Sequence, residues 1–308
     1  MQNQISVEKI EYGGWQNCYR LSNGLVDLVV TTDVGPRIIR FGFVGDENEF
    51  KEYDEMMGRT GGDDWQIYGG HRLWHAPEAR PRTYYPDNSP VDLERRDGSV
   101  RLIQPTEQTT GIQKEIDILL SSSRAHVKLT HRLRVQRVSA EKLAPWPISV
   151  MAPGGKAILP LPPRTGHEEH LSPTNTITLW GYTDMTDRRW TWGKRYVILA
   201  QDPAAGAPQK AGFMVTDGWV AYCRGGHLFV KKFEYFDGQR YPDLGCTVEL
   251  FTNADMLELE TLGPLVQSRQ GLAVEHVEHW LLLRDVPTPN DDAGVERDVV
   301  PRIGGREA

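Results

Sequence analysis

Residues 256–265 read MLELETLGPL, two glutamates alternating with leucines ahead of a glycine and a proline. Successive side chains of an extended strand point to opposite faces. Leu257, Leu259 and Thr261 therefore share one side, and Glu258 and Glu260 share the other. The leucines suit a packed core. The two carboxylates stand about 7 Å apart on the second face, two residues of strand rise. By itself the alternation leaves two uses for the glutamates: a polar face in water, or acid–base groups carried by a rigid element.

The same period recurs along the chain. Val127, Leu129, His131 and Leu133 share one face of 126–134, while His126, Lys128, Thr130, Arg132 and Arg134 share the other. Further strands are expected at 25–30, 37–44, 113–120, 176–180, 196–200, 212–216, 219–224, 227–236, 246–252 and 273–283. DGW at 217–219 and RGGH at 224–227 supply tight-turn chemistry between strands. No long amphipathic helix interrupts the pattern. Many strands joined by Gly/Pro turns predict an all-β chain, a large antiparallel sandwich or barrel. Two segments, 60–98 and 152–175, are too long for turns and read as loops, the first ordered by its Trp, Tyr, His and Arg content. Residues 1–285 are expected as a single domain. The proline- and charge-rich segment 286–308 is expected as a loosely attached tail.

Composition narrows the function. The 308 residues carry a formal net charge of −7, which argues against a nucleic-acid or anionic-membrane partner. No apolar run approaches the roughly 20 residues that span a bilayer, and the first residues lack an export pattern; a cytoplasmic protein is expected. Three scattered cysteines, Cys18, Cys223 and Cys246, fit neither a disulfide framework nor a structural zinc site. Nine tryptophans and eleven tyrosines suit a β core and equally suit stacking against the C–H faces of sugars.

Residues 68–88, YGGHRLWHAPEARPRTYYPDN, hold the second concentration of chemistry. His71 and His75 can exchange protons near neutrality. Arg72 and Trp74 can hold and stack a polyhydroxylated ligand, with Tyr84 and Asn88 nearby. His71 and His75 are four apart, but Pro77, Pro81 and the preceding glycines oppose a helix, and HExxH is absent; no metal is expected. In WGYTDMTDRRW, 180–190, Arg188 and Arg189 either bind an acidic group of a ligand or pair with Asp184 and Asp187. Lys232 lies on an aromatic-backed strand, facing a cleft or solvent. The hydrolase-elbow, P-loop and dinucleotide motifs are missing.

Three segments, in order, carry a family resemblance: TTDVGPRIIRFGFVGDENEF (31–50), YGGHRLWHAPE (68–78), and LELETLGPL followed by VEHVEHWLLL. Over about residues 20–284 the chain resembles the galactose-mutarotase-like (aldose 1-epimerase-like) superfamily, most of all a bacterial branch sharing GGHRLW and ELETLGPL. The resemblance implies a large antiparallel β-supersandwich. It also implies cofactor-independent ring opening of a sugar, a glutamate taking the anomeric proton and a histidine protonating the ring oxygen. Aligned through LET and the following proline, the base falls on Glu260, with Glu258 as a neighbour that raises its pKa. The mid-chain histidine of the family is absent; Val150, Met151 or Ala152 stands in its place, so His71 or His75 would have to supply the acid. The expected site is thus Glu260 and His71 as catalytic pair, with Arg37, Arg72, Trp74, His75, Tyr84, Asn88, Arg189, Lys232 and Glu258 around a small sugar or sugar derivative, no metal and no cofactor, in a monomer or homodimer. Two other readings stay open: a non-catalytic carbohydrate-binding protein on the same scaffold, and an oligosaccharide lyase or hydrolase. Same-strand carboxylates are not the usual cross-cleft pair of a glycosidase, which weakens the last.

Overall fold

The computed structural model describes residues 5–96, 98–138 and 141–304. Two large antiparallel sheets carry nearly all of it. In space, the first runs Ser6–Tyr12, Trp15–Ser22, Val26–Thr31, Arg37–Phe43, His71–Ala76, Lys142–Met151, Leu257–Thr261, Val248–Thr252, Gln209–Phe213 and Ile177–Leu179. The second runs Trp190–Trp192, Tyr196–Ala200, Lys156–Pro160, Trp219–Arg224, His227–Phe233, Ala273–Leu283, His126–Val135, Ile112–Leu120, Ser99–Ile103 and Asp92–Arg96. Their inner faces close on one apolar core that draws on both, with Phe41 and Phe50 of the first sheet side packed against Phe229 and Trp280 of the second. This is the expected all-β supersandwich. Val127, Leu129, His131 and Leu133 are all fully buried on its inside, as their shared face predicts.

Two central strands differ from the sequence reading. Residues 71–76 do not form a loop: His71–Ala76 is a central strand, every residue of it buried. A strand covered on both faces need not alternate polar with apolar residues, and in His71–Ala76 both faces mix the two, so the period that marks strands such as His126–Val135 is missing here. Gly69 and Gly70, both at positive φ, lead into it, and a Cβ on Gly70 would overlap the Ile38 carbonyl. Its neighbour Lys142–Met151 was hidden by Pro145 and Pro147. The Pro145 carbonyl accepts from Gly263 N at 2.9 Å, so its backbone points away from His71–Ala76. By alternation Pro147 points the same way, beyond the stretch where Leu257–Thr261 pairs with residues 148–151. The missing N–H groups therefore fall where no neighbouring strand requires them.

The C-terminal segment also departs from expectation. Helices Asp292–Asp298 and Val300–Ile303 follow the last strand, and Val286, Val295, Val299 and Ile303 pack on Ile158, Ile198 and Val230 at the outer face of the second sheet. Asp292 accepts from the backbone N–H groups of Lys194 (2.7 Å) and Arg195 (3.1 Å). Residues 286–304 are docked rather than loose, because their few apolar side chains recur at helical spacing. No helix of the described residues is long and apolar enough to cross a membrane.

Candidate functional site

Strand register decides which candidates meet. Arg72 pairs with Ile148, Ile148 with Glu260, and Glu260 with Glu249, so one row crosses four strands of the first sheet on its outer face. The next row places Glu258 beside Phe251, and Phe251 beside Lys210. Trp74 pairs with Trp146 on the same face. Over these rows lies a cavity of about 540 Å³. Trp65, Trp74, Trp146, Trp180, Tyr84 and Tyr182 supply its aromatic walls, and Arg72, Lys210, Glu258 and Glu260 supply charge. A second lobe of about 330 Å³ shares Trp146, Trp180, Tyr84 and Glu78 and reaches Glu249 and Asp243.

The aromatic wall is braced by its own contacts. Trp74 meets Trp65, Tyr84 and Trp146 edge-on, with ring centroids 5.0–5.5 Å apart. The Arg72 guanidinium lies over Trp74 at 4.6 Å and over Trp65 at 5.4 Å, while the Lys210 ammonium lies over Trp180 at 4.7 Å and Trp146 at 5.0 Å. Such contacts hold a desolvated cation at the cost of little mobility.

Glu260 is fully buried. Trp146 Nε1 donates to its Oε2 at 2.8 Å, and Lys210 Nζ approaches the same oxygen at 3.3 Å. Its Oε1 has no protein partner among the described residues, nor do Arg72 Nε and Nη1. Groups buried this way without partners await a ligand or water. Glu258 accepts from Arg72 Nη2 at 2.9 Å, and Lys210 Nζ lies 2.8 Å from Glu249 Oε2. Three carboxylates thus face two cations. Burial pushes the Glu260 pKa up to about 7; Lys210 opposes the rise and Glu258 adds to it. Burial likewise raises Glu249 well above the usual carboxylate range, against the pull of Lys210 and with the push of Glu260. Burial disfavours the Lys210 charge, but Glu260, Glu249 and Glu258 outweigh it and hold the ammonium protonated.

Of the expected site, the structure gathers Arg72, Trp74, Tyr84, Glu258 and Glu260 around one cavity. It places the others elsewhere. His71 pairs with Ser149 and Ile38, on the inner face of the same sheet. Side chains one residue apart on a strand cannot share a face, so with Arg72 in the cleft, His71 and His75 point into the sandwich. His71 is therefore not the acid facing Glu260. His75 is buried beside Arg82, which lies 2.7 Å from its Nδ1 and anchors the 77–84 loop. Arg37 binds Asp87 at 2.7 Å and the Gly69 carbonyl at 2.8 Å. Asn88 holds the 62–64 carbonyls, donating at 2.7 Å to Asp64 O. Arg189 pairs with Asp187 at 2.8 Å. Lys232 donates to the Ile303 carbonyl at 2.8 Å, on the outer face of the second sheet. All four stabilise loops or the C-terminal helices and line no part of the cavity.

Inside the sandwich His71 joins a closed polar network. Its Nε2 lies 2.7 Å from His131 Nε2 and its Nδ1 2.9 Å from Ser149 Oγ. Lys231 Nζ pairs with Glu278 Oε1 at 3.0 Å, and Thr261 links Glu278 to His276. Among the described residues, His71, His131 and Glu278 form the one cluster of metal-type ligands, their donor atoms within 4.8 Å. Two imidazole nitrogens on one tetrahedral zinc stand about 3.3 Å apart, wider than this hydrogen-bonded pair. The Lys231 ammonium already neutralises Glu278, and the cluster is an ion network rather than a metal site. Burial, then Lys231 and His131, keeps His71 neutral well below its ordinary pKa.

Sequence reasoning missed Glu249, Lys210, Trp146 and Trp180. A signal for Glu249 existed: CTVELFT, 246–252, alternates like LELET, and a hairpin pairing of the two strands sets the two glutamates side by side. Lys210 and Trp146 had no such signal, since neither strand alternates.

No family model matches the sequence, and no curated protein sequence matches it. Solved structures do match. A galactose mutarotase-like protein from Lactobacillus casei superposes with a TM-score of 0.54 at 7% identity, over 87% of this chain and 100% of that one. A galactose mutarotase-like protein from Clostridium acetobutylicum gives 0.50 at 10% identity, over 91% and 99%. A Synechocystis sp. PCC 6803 protein gives 0.55 at 10% identity, over 90% and 99%. At these identities what is shared is the fold.

Proposed function

We propose that this chain, a galactose-mutarotase-like fold in nearly all of its length, binds a sugar in the tryptophan-walled cavity and interconverts its anomers, with Glu260 as the base. One observation carries this reading: a fully buried carboxylate with a free oxygen, held by Trp146 and Lys210 beneath an aromatic cavity. A base works best when its pKa lies near the working pH, and burial brings Glu260 there. The tryptophan faces stack on the apolar side of a pyranose, while Arg72 Nε and Nη1 donate to hydroxyl oxygens. Glu260 Oε1 removes the anomeric hydroxyl proton, the bond from the anomeric carbon to the ring oxygen breaks, and that oxygen takes a proton from an acid. The open-chain aldehyde turns about its terminal bond and closes on the other face with the steps reversed.

A second reading is favoured by the cavity's lack of any histidine among its lining residues: a binding protein needs aromatic and polar contacts but no acid. Exchange NMR between anomers, across a panel of free sugars, separates the two. The catalytic reading expects exchange well above the spontaneous rate, lowered about 10²–10⁴-fold by Glu260→Gln with binding retained. Binding without accelerated exchange by the unsubstituted protein supports the second reading and overturns the first.

A further inference from the structure

We propose that Glu249 and Glu260 share a single proton across Lys210, and that Glu249 is the acid that works opposite Glu260. This deepens the reading above and rests on it for the catalytic step. The geometry comes first. Glu249 and Glu260 are direct cross-strand partners on the cleft face, both fully buried, and one ammonium approaches them at 2.8 and 3.3 Å. Each keeps an oxygen without a hydrogen-bond partner among the described residues. Glu249 lines the lobe that continues past Trp146 and Trp180, so both carboxyls border one two-lobed cleft.

Charge counting then limits the proton number. Lys210 is the cation between the two, since Arg72 is engaged by Glu258. Glu258 and Asp243 add negative charge nearby, and Lys231 lies beneath Glu260 on the inner side. Two buried carboxylates on one ammonium leave an uncompensated negative charge in a dry site, and a proton removes it. The pair therefore rests with one carboxyl neutral, as like-charged carboxyls at close range do. Trp146 Nε1 donates to Glu260 Oε2 at 2.8 Å, whereas neither Glu249 oxygen accepts a hydrogen bond among the described residues, so the ionised form is better served at Glu260 and the resting proton is placed on Glu249.

The proton balance closes without a histidine. Glu260 takes the proton of the anomeric hydroxyl, the ring C–O bond breaks, and Glu249 gives its proton to the ring oxygen. One carboxyl is protonated before and after, so the charge beside Lys210 does not change. On reclosure both transfers reverse.

The test is a titration of the glutamate side-chain carboxyls by ¹³C NMR in the unliganded protein, for the unsubstituted chain, Glu249→Gln and Glu260→Gln. Shared protonation expects one carboxyl of the pair to be neutral at pH 7. It also expects Glu260→Gln to lower the Glu249 midpoint by at least about one pH unit, because the like charge beside it is gone and Lys210 then serves one partner. Both carboxyls ionised at pH 6, or a Glu249 midpoint unmoved by Glu260→Gln, overturns it. The first criterion needs no variant, so it holds even if Glu260→Gln does not fold. For the catalytic half, Glu249→Gln is expected to lower kcat for anomeric exchange about 10²–10⁴-fold with KM within a few-fold. Retained exchange in Glu249→Gln, alongside loss in Glu260→Gln, overturns Glu249 as the acid and leaves Glu260 as base. If the unsubstituted protein exchanges no sugar yet holds the shared proton, the functional reading falls and the proton pair stands.

Discussion

His71 Nε2 lies 2.7 Å from His131 Nε2, on the opposite side of the sheet from Glu260. The histidine that the sequence places nearest the chemistry therefore belongs to the interior. Replacing it leaves His131 Nε2 and Ser149 Oγ without a buried partner, at a cost of about 1–3 kcal/mol. His71→Asn is expected to lower the urea midpoint by that measure and to leave sugar affinity within two-fold. A folded variant that has lost sugar binding would return His71 to the site.

Glu260 makes the pH dependence of stability a signature of the site. Its folded pKa, about 7, lies above its ordinary value of 4.5. Between those values the folded state holds a proton the unfolded state has released. Its contribution is complete below about 4.5 and is lost as pH rises through 7, on the order of 3 kcal/mol for this fully buried group. Glu260→Gln cannot titrate. Thermal melts at pH 5 and pH 8 are expected to show the variant gaining on the unsubstituted protein at the higher pH, a stability gained where function is given up. An equal difference at both pH values would contradict the raised pKa.

Lys231 and Glu278 are both fully buried and lie 3.0 Å apart. Burial disfavours the Glu278 charge, but Lys231, His131 and His276 outweigh it and hold its pKa down to about 2. Lys231→Met strands that carboxylate and is expected to cost about 3–5 kcal/mol. The double variant Lys231→Met with Glu278→Gln is expected to recover part of the loss, since no buried charge is then left alone. Denaturant midpoints of the two single variants and the double variant give the coupling directly.

Asp292 ties the last helices to the turn before Tyr196 through backbone N–H groups at 2.7 and 3.1 Å. Asp292→Ala leaves those donors unpaired, with an expected loss of about 1–3 kcal/mol. Truncation after Asp285 uncovers Ile158, Ile198 and Val230 and is expected to cause aggregation, read by light scattering. A truncated chain as stable and soluble as the full one would contradict the docking.

Part of the fold was legible because some strands bury one face, and burial on one side writes period 2 into the sequence. His126–Val135 and Ala273–Leu283 show it plainly; Leu257–Thr261 is buried on both faces and keeps the period only because its second face carries the site's carboxylates. Where both covered faces are of mixed character the code disappears: His71–Ala76 reads as a loop, and Pro145 and Pro147 disguise Lys142–Met151. The site was half legible for the same reason. Alternation put Glu258 and Glu260 on one face, and once His71–Ala76 is a strand it also separates Arg72 and Trp74 from His71 and His75. Glu249 lies one hairpin before Glu260 and was within reach of pairing the two alternating strands; Lys210 arrives by pairing between strands distant in sequence, and a single strand's pattern carries no trace of its neighbour. Arg37, Asn88 and Arg189 show the converse. Polar residues rich in hydrogen-bonding capacity are consumed by loops that need them.

The most direct measurement is a crystal structure of Glu260→Gln with a sugar that the unsubstituted protein interconverts. The account predicts the pyranose in the cavity over Arg72, stacked on the Trp74 and Trp146 wall. Its anomeric oxygen would lie within about 3 Å of the residue 260 side chain, with Glu249 on the ring-oxygen side and His71 still inside the sandwich. A sugar bound elsewhere, or a histidine turned into the cavity to meet it, would contradict the account.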